Sequence, residues 1–116
     1  MGKGSLGKVY LTRHLKTGCY YAIKKVIKSE VLDRDQFCLS VKSQIFFNDP
    51  HIAQIYACFS DELSIYLVME LCLDGNLINY RKVMRHDSER GRAVLGVAKG
   101  LKKMHQENMR HGDLKL

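Results

Sequence analysis

Two groups of residues in this chain have types and spacing suited to holding phosphate. One is the glycine-rich run Gly2-Lys3-Gly4-Ser5-Leu6-Gly7-Lys8-Val9, and the other is Ala22-Ile23-Lys24. Glycines carry no Cβ, so their backbone N–H groups can approach an anion with no side chain in the way. A lysine on the following strand then supplies a compact cation. A glycine-rich turn leading into one strand, with a lysine on the next, can hold the phosphates of a nucleotide under a β-hairpin.

The G-x-G-x-x-G pattern also occurs in dinucleotide-binding folds and in ordinary turns. The dinucleotide version needs a strand before it, a helix opening at the third glycine and an acidic residue about twenty positions later. Here Gly2 nearly begins the chain and strand-forming residues follow Gly7, which excludes that version. A Walker loop is excluded too, because its spacing before Gly-Lys-Ser/Thr is missing.

The elements that would position these residues follow from the pattern. Val9, Tyr10 and Leu11 lead to a turn candidate, Lys16-Thr17-Gly18, and Cys19 to Ile27 resumes with Tyr20, Tyr21, Ile23, Val26 and Ile27. Aromatic and β-branched runs around such a turn predict a hairpin. Asp33-Arg34-Asp35-Gln36 has the capping spacing of a helix start, with Phe37, Val41 and Ile45 recurring on one face. Asn48-Asp49-Pro50 ends that element, since proline disfavours helix in the residue before it. Two strand-like runs follow, Ile52 to Phe59 and Leu63 to Glu70, joined by Ser60-Asp61-Glu62. After Leu73-Asp74-Gly75-Asn76 the period becomes helical, and Asn76 is placed to cap a short helix to about Met84. A longer helix is expected from about Glu89 to Gln106, burying Val94, Val97, Ala98, Leu101 and Met104. Gly91, Gly96 and Gly100 weaken that helix and suggest close packing against a neighbour.

Bulk properties narrow the classes. The 116 residues fit one domain by length, and 46% apolar residues can supply a core. No run approaches the roughly 18 apolar residues of a membrane helix, and the N-terminus has no apolar signal-peptide stretch. An intracellular, cytoplasmic protein with no membrane partner is expected. Four cysteines stand without a C-x-x-C pair and five histidines are unclustered. That spacing predicts free, mostly buried thiols and no metal site. The charge of +7 comes from 19 Lys+Arg against 12 Asp+Glu, spread in pairs such as Lys24-Lys25 and Lys102-Lys103. With no aromatic–basic platform beside them, they predict a solvated face and no nucleic-acid partner.

The extended first motif, with Val9 after the third glycine and Lys24 in an Ala-x-Lys context, resembles the N-terminal lobe of a eukaryotic-type protein kinase of the serine/threonine kind. The resemblance covers the chain. Asn48-Asp49-Pro50-His51-Ile52 is similar to the family's H-P-N-I segment, and Leu67-Val68-Met69-Glu70 to the strand entering the hinge. Asp74-Gly75-Asn76-Leu77 is similar to the start of the next helix, Gly100-Leu101-Lys102-Lys103-Met104-His105 to G-L-x-Y-L-H, and Arg110 to Lys115 to the opening of the catalytic loop.

That resemblance implies an α+β fold. An N lobe of antiparallel sheet plus one helix would occupy residues 1–70, a hinge 71–76, and the first helices of an incomplete C lobe 77–116. It implies ATP as cofactor, with Gly2, Gly4 and Gly7 over the phosphates and Lys24 neutralising the α/β-phosphates. Val9 and Ala22 would face the adenine ring, with Met69 behind as gatekeeper. Glu70 C=O and Cys72 N–H would read the adenine edge, and Asn76 would lie near the ribose. Asp113 would be the general base for a substrate hydroxyl and Lys115 its neighbouring lysine.

The sequence departs from the family at several points. The helix after Lys24 should offer a glutamate near Ser40 or Val41, yet no acidic residue occurs from Gln36 to Phe47, and Gln44 carries no charge. Gly112 stands where arginine is usual, and Leu116 where proline is. The family's Mg2+ ligands, the catalytic-loop asparagine and the D-F-G aspartate, do not occur in these 116 residues. Phosphoryl transfer depends on positioning and on charge neutralisation by metal, so this chain alone is expected to be catalytically incompetent. Two functions are implied. The first is a protein kinase acting on protein Ser/Thr hydroxyls in its complete form. The alternative is a non-catalytic pseudokinase-like scaffold that binds a regulatory protein partner.

Overall fold

The aromatic and β-branched residues on either side of Lys16-Thr17-Gly18 do form a hairpin, β2 (Gly7–Arg13) and β3 (Tyr20–Ile27), preceded by the short β1 (Gly2–Gly4). In this computed structural model the described residues are 2–4, 7–73, 75–82, 84–112 and 114, with backbone alone for 2–4 and 81. The chain divides into two units, residues 1–48 with 53–71, and residues 49–52 with 72–116.

In the first unit, β4 (Ile55–Ser60) and β5 (Ser64–Met69) complete a five-stranded antiparallel sheet of order β1-β2-β3-β5-β4. The β2–β3 turn closes with His14 N donating to Cys19 O and Gly18 N to His14 O, both at 2.8 Å. Helix α1 (Arg34–Ile45) starts where its cap predicts, as Asp33 Oδ1 accepts from Gln36 N at 2.9 Å. Its expected face meets the sheet. Val41 joins Val26, Ile55, Ile65 and Leu67 in the core, and Val31, Phe37, Ile45 and Met69 pack around them. Val26 and Ile55 are sealed, at 0% and 1% exposed. The fold expected from the sequence, an antiparallel sheet plus one helix followed by further helices, is the one observed.

β4 begins at Ile55, later than the predicted Ile52. A turn at Pro50 and His51 closes just before, with Ile52 N donating to Asp49 O at 3.1 Å. The β4–β5 turn is organised by Asp61. Its Oδ1 accepts from Leu63 N at 2.9 Å and Ser64 N at 2.7 Å, and its Oδ2 accepts from Tyr66 Oη at 2.7 Å.

In the second unit, α2 (Leu77–Arg81) is capped by Asn76, whose Oδ1 accepts from Asn79 N at 2.9 Å. Helix α3 (Asp87–Gln106) starts slightly earlier than predicted, because Glu89 Oε2 takes the N–H groups of Arg85 at 2.9 Å and His86 at 3.3 Å. The predicted burial of its apolar stripe is only partly met. Leu101 and Met104 are half-buried, but Ala98 is exposed, and Val94 and Val97 stay 65% and 39% exposed. The covered side is the glycine side. A Cβ on Gly100 would lie 2.8 Å from His51 O, and one on Gly96 would lie 3.6 Å from His51 Cδ2. Close backbone approach is what the glycines permit, and it turns the stripe partly outward.

Two outcomes test this description. Ile55→Ala should destabilise the first unit by about 2–5 kcal/mol, a large share of the roughly 5–15 kcal/mol typical of a domain, read as a fall in denaturant midpoint. The hydrogen bond from Tyr66, followed by those from Ser64 and Leu63, holds the Asp61 carboxyl below its ordinary value of 3.8. A carboxyl lowered on folding stabilises fully above that ordinary value and loses its contribution as pH falls through the lower folded one. Asp61→Asn should therefore flatten the acid side of the melting-temperature profile; an unchanged slope would contradict this.

Candidate nucleotide-binding site

Cross-strand partners share a face of a sheet, so the register defines one row of side chains. Val9 lies opposite Lys24, and Leu11 opposite Ala22. On the other side of β3, Lys24 lies opposite Leu67, and Ala22 opposite Met69. Val9, Ala22, Lys24 and Met69 therefore stand on the same face as the core residues Val26, Ile65 and Leu67, beside them along the sheet. Ala22 is buried, whereas Val9, Lys24 and Met69 are half-buried. The row is an apolar platform carrying one ammonium. Among the described residues Lys24 makes no ion pair.

Helix α1 does not supply one. Ser40 is exposed and Val41 is buried in the core, and the only acidic residue of the helix is Asp35 in its first turn. Gly7 opens β2 at φ +133°, and a Cβ there would stand 2.1 Å from Lys25 O. The strand can lie against β3 at this point only because the residue is glycine. The backbones of Gly2 and Gly4 pair with Val9 and Gly7 in the β1–β2 ladder. Ser5 and Leu6 lie outside the described residues, as do Asp113 and Lys115.

At the end of β5, Glu70 is tied to Gln54. Glu70 N donates to Gln54 O at 2.9 Å, and Gln54 N donates to Glu70 Oε2 at 3.2 Å. The Gln54 side-chain amide donates to Ile45 O at 3.0 Å and to Ile55 O at 2.9 Å. Sequence reasoning did not single out Gln54. A lone polar residue inside a strand-like run gives no periodic signal, and its partners come from three separate segments. Cys72 and Asn76 belong to the second unit, and Asn76 Oδ1 is engaged in capping α2.

Other features lie away from this row. On the opposite sheet face a cavity of about 720 Å³ is lined by Thr12, Arg13, Tyr21, Ile23, Tyr56 and Val68, among others, and holds none of the expected site residues. The four cysteines are all exposed, correcting the expectation that they are mostly buried. Cys19 precedes β3, Cys72 follows β5, and Cys38 and Cys58 sit on α1 and on the edge strand β4. Partial burial of the exposed Cys58 side chain, and after it the Cys38 thiol, pushes the Cys58 thiol up. Among the described residues no helix is long and apolar enough to cross a membrane. No group of three or more His, Cys, Asp or Glu among them could hold a metal ion.

The sheet, of order β1-β2-β3-β5-β4, thus carries one helix on the face of the Ala22–Lys24 row and is opened by a glycine-rich strand pair. The chain belongs to the protein kinase domain family, whose model matches residues 1–116. It is 33% identical to an Aurora kinase of Eremothecium gossypii and 34% identical to an Aurora kinase of Saccharomyces cerevisiae, over 99% of this chain and 33% of each relative. It is also 32% identical to a cAMP-dependent protein kinase catalytic subunit of Dictyostelium discoideum, over 99% of this chain and 18% of that protein. The chain thus spans about a third or less of the length of these relatives.

Gly7→Ala is expected to push β2 off β3 and lower the melting temperature clearly more than Gly91→Ala, whose Cβ meets nothing within 4 Å. Equal effects of the two substitutions would contradict the close approach at Lys25.

Proposed function

We propose that this chain forms the ATP-binding part of a protein kinase that phosphorylates serine or threonine hydroxyls of protein substrates. The observation that carries this reading is the row Val9–Ala22–Lys24–Met69, an apolar platform with a single ammonium beside a glycine-opened strand. An adenine ring is flat and apolar on its faces, which suits Val9, Ala22 and Met69. Triphosphate oxygens suit Lys24 and the N–H groups of the glycine-rich run.

Each residue then has a task. Gly2, Gly4 and Gly7 bring backbone N–H groups to the phosphates, and Lys24 neutralises their charge. Glu70 C=O and Cys72 N–H meet the adenine edge, with Met69 setting the depth of the pocket and Asn76 near the ribose. Asp113 takes the proton of the substrate hydroxyl, and Lys115 balances charge beside it. ATP, when bound, supplies the phosphoryl group. Residues 1–70 act as the N lobe, 71–76 as hinge and 77–116 as the start of the C lobe. Among the described residues no group of three or more His, Cys, Asp or Glu could hold Mg2+. An intracellular location, with ATP and a protein substrate as partners, goes with this reading.

One observation favours the non-catalytic alternative, a pseudokinase-like module that binds a regulatory partner. Helix α1 presents no carboxylate at Ser40 or Val41, and among the described residues Lys24 makes no ion pair. A misplacement of about an ångström in a phosphate-handling group can cost on the order of a hundredfold in rate.

Thermal unfolding with Mg-ATP separates nucleotide binding from its absence. At about 100 times the dissociation constant, binding should raise the melting temperature by roughly 10 °C, and Lys24→Met should abolish most of that rise. A midpoint unmoved by Mg-ATP would leave the scaffold reading. Phosphate transfer to a protein substrate by the protein would exclude it.

A further inference from the structure

In a helix-on-sheet unit whose lysine lacks a helical carboxylate, some other contact must fix the helix relative to the nucleotide site. The described residues contain one side-chain hydrogen bond that joins α1 to the segments around β4 and β5, from Gln54 Nε2 to Ile45 O at 3.0 Å. Ile45 is the last residue of α1, so this carbonyl is one of the helix-end acceptors without an intrahelical donor. The same Nε2 also donates to Ile55 O at 2.9 Å. Two carbonyls facing one amide end fix its orientation, since the reverse would set oxygen against oxygen twice. The backbone of Gln54 meanwhile exchanges two bonds with Glu70, one to the peptide N–H and one to the carboxylate.

We propose that Gln54 is a positioning residue that ties the C-terminal end of α1 to the Glu70 backbone, so that the helix steadies the adenine-reading end of the site instead of its phosphate end. The assignment of adenine to that end rests on the function proposed above; the tie itself does not. Glu70 has its N–H held by Gln54 O, which restrains the peptide leading into the carbonyl that would accept from adenine. Gln54 is in turn held through its side chain by the helix end and by the first peptide of β4. Movement of α1 therefore transmits to Glu70 through two short hydrogen-bonded links, with no involvement of Lys24.

The test uses two substitutions at one position. Gln54→Met keeps the side-chain length and removes the N–H donors, whereas Gln54→Arg keeps donors able to reach Ile45 O and Ile55 O. Loss of a net hydrogen bond should weaken ATP and adenosine alike by roughly three- to tenfold in Gln54→Met, measured well below its melting temperature. Gln54→Arg should recover most of the loss. Hydrogen exchange at the Glu70 amide, in protein without nucleotide, should accelerate in Gln54→Met and return towards the original rate in Gln54→Arg. Should Gln54→Met fail to fold, Glu70→Gln, which weakens the bond from Gln54 N, should give smaller shifts in the same directions. Unchanged Glu70 exchange in a folded Gln54→Met overturns the tie. Accelerated exchange with unchanged adenosine affinity overturns its role at the adenine end. If the unsubstituted protein binds neither ATP nor adenosine, the proposed function falls, while the exchange rates still decide the tie.

Discussion

Side chains along a strand alternate between its two faces, so sealing one residue in a core commits every second neighbour to the same side. In β3 that residue is Val26, with no exposed surface, packed with Ile65, Leu67 and Val41 beneath α1. Its burial fixes the faces of Lys24 and Ala22. A slip of one residue would turn Val26 to solvent and put Lys25 in place of Lys24. The candidate site is therefore a continuation of the core, and the same apolar burial that stabilises the unit also aims its lysine. Register on both sides of β3 then brings in Val9 and Met69.

The helix that closes this core serves packing first. Its inward positions are Phe37, Val41 and Ile45, spaced for contact with the sheet, and it brings no carboxylate to the lysine. A lysine ammonium keeps its charge for an anion, but among the described residues Lys24 has no ion-pair partner to hold its long side chain. What the helix does contribute in polar terms is its last carbonyl, taken by Gln54. A helix end that would otherwise carry an unsatisfied acceptor is joined to the residue following β5. The rigidity available to the site thus enters at the Glu70 end.

Local chemistry was legible wherever a few neighbouring residues decide the outcome. The Asp33 and Asn76 caps, the hairpin around Gly18 and the turn at Asp61 each depend on side-chain oxygens or chain reversals within a few positions. The core face of α1 was legible from its period. The stripe on α3 was read less well, because period shows which residues share a face but not what covers it. His51 packs against Gly96 and Gly100, so Val94 and Val97 keep much of their surface. The thiols were misjudged on similar grounds, since average burial of cysteine says nothing about a turn, an edge strand or a helix flank.

By itself the sequence determined the glycine-rich run, the alternation that puts Ala22 and Lys24 on one side, the helix starts and the family. These are one-dimensional properties, carried by spacing and by contacts between near neighbours. Tertiary structure alone decided that Gly7 must accommodate the Lys25 carbonyl and that Gln54 links Ile45 to Glu70. Those facts depend on which distant segments meet, and burial and register, not local propensity, bring them together.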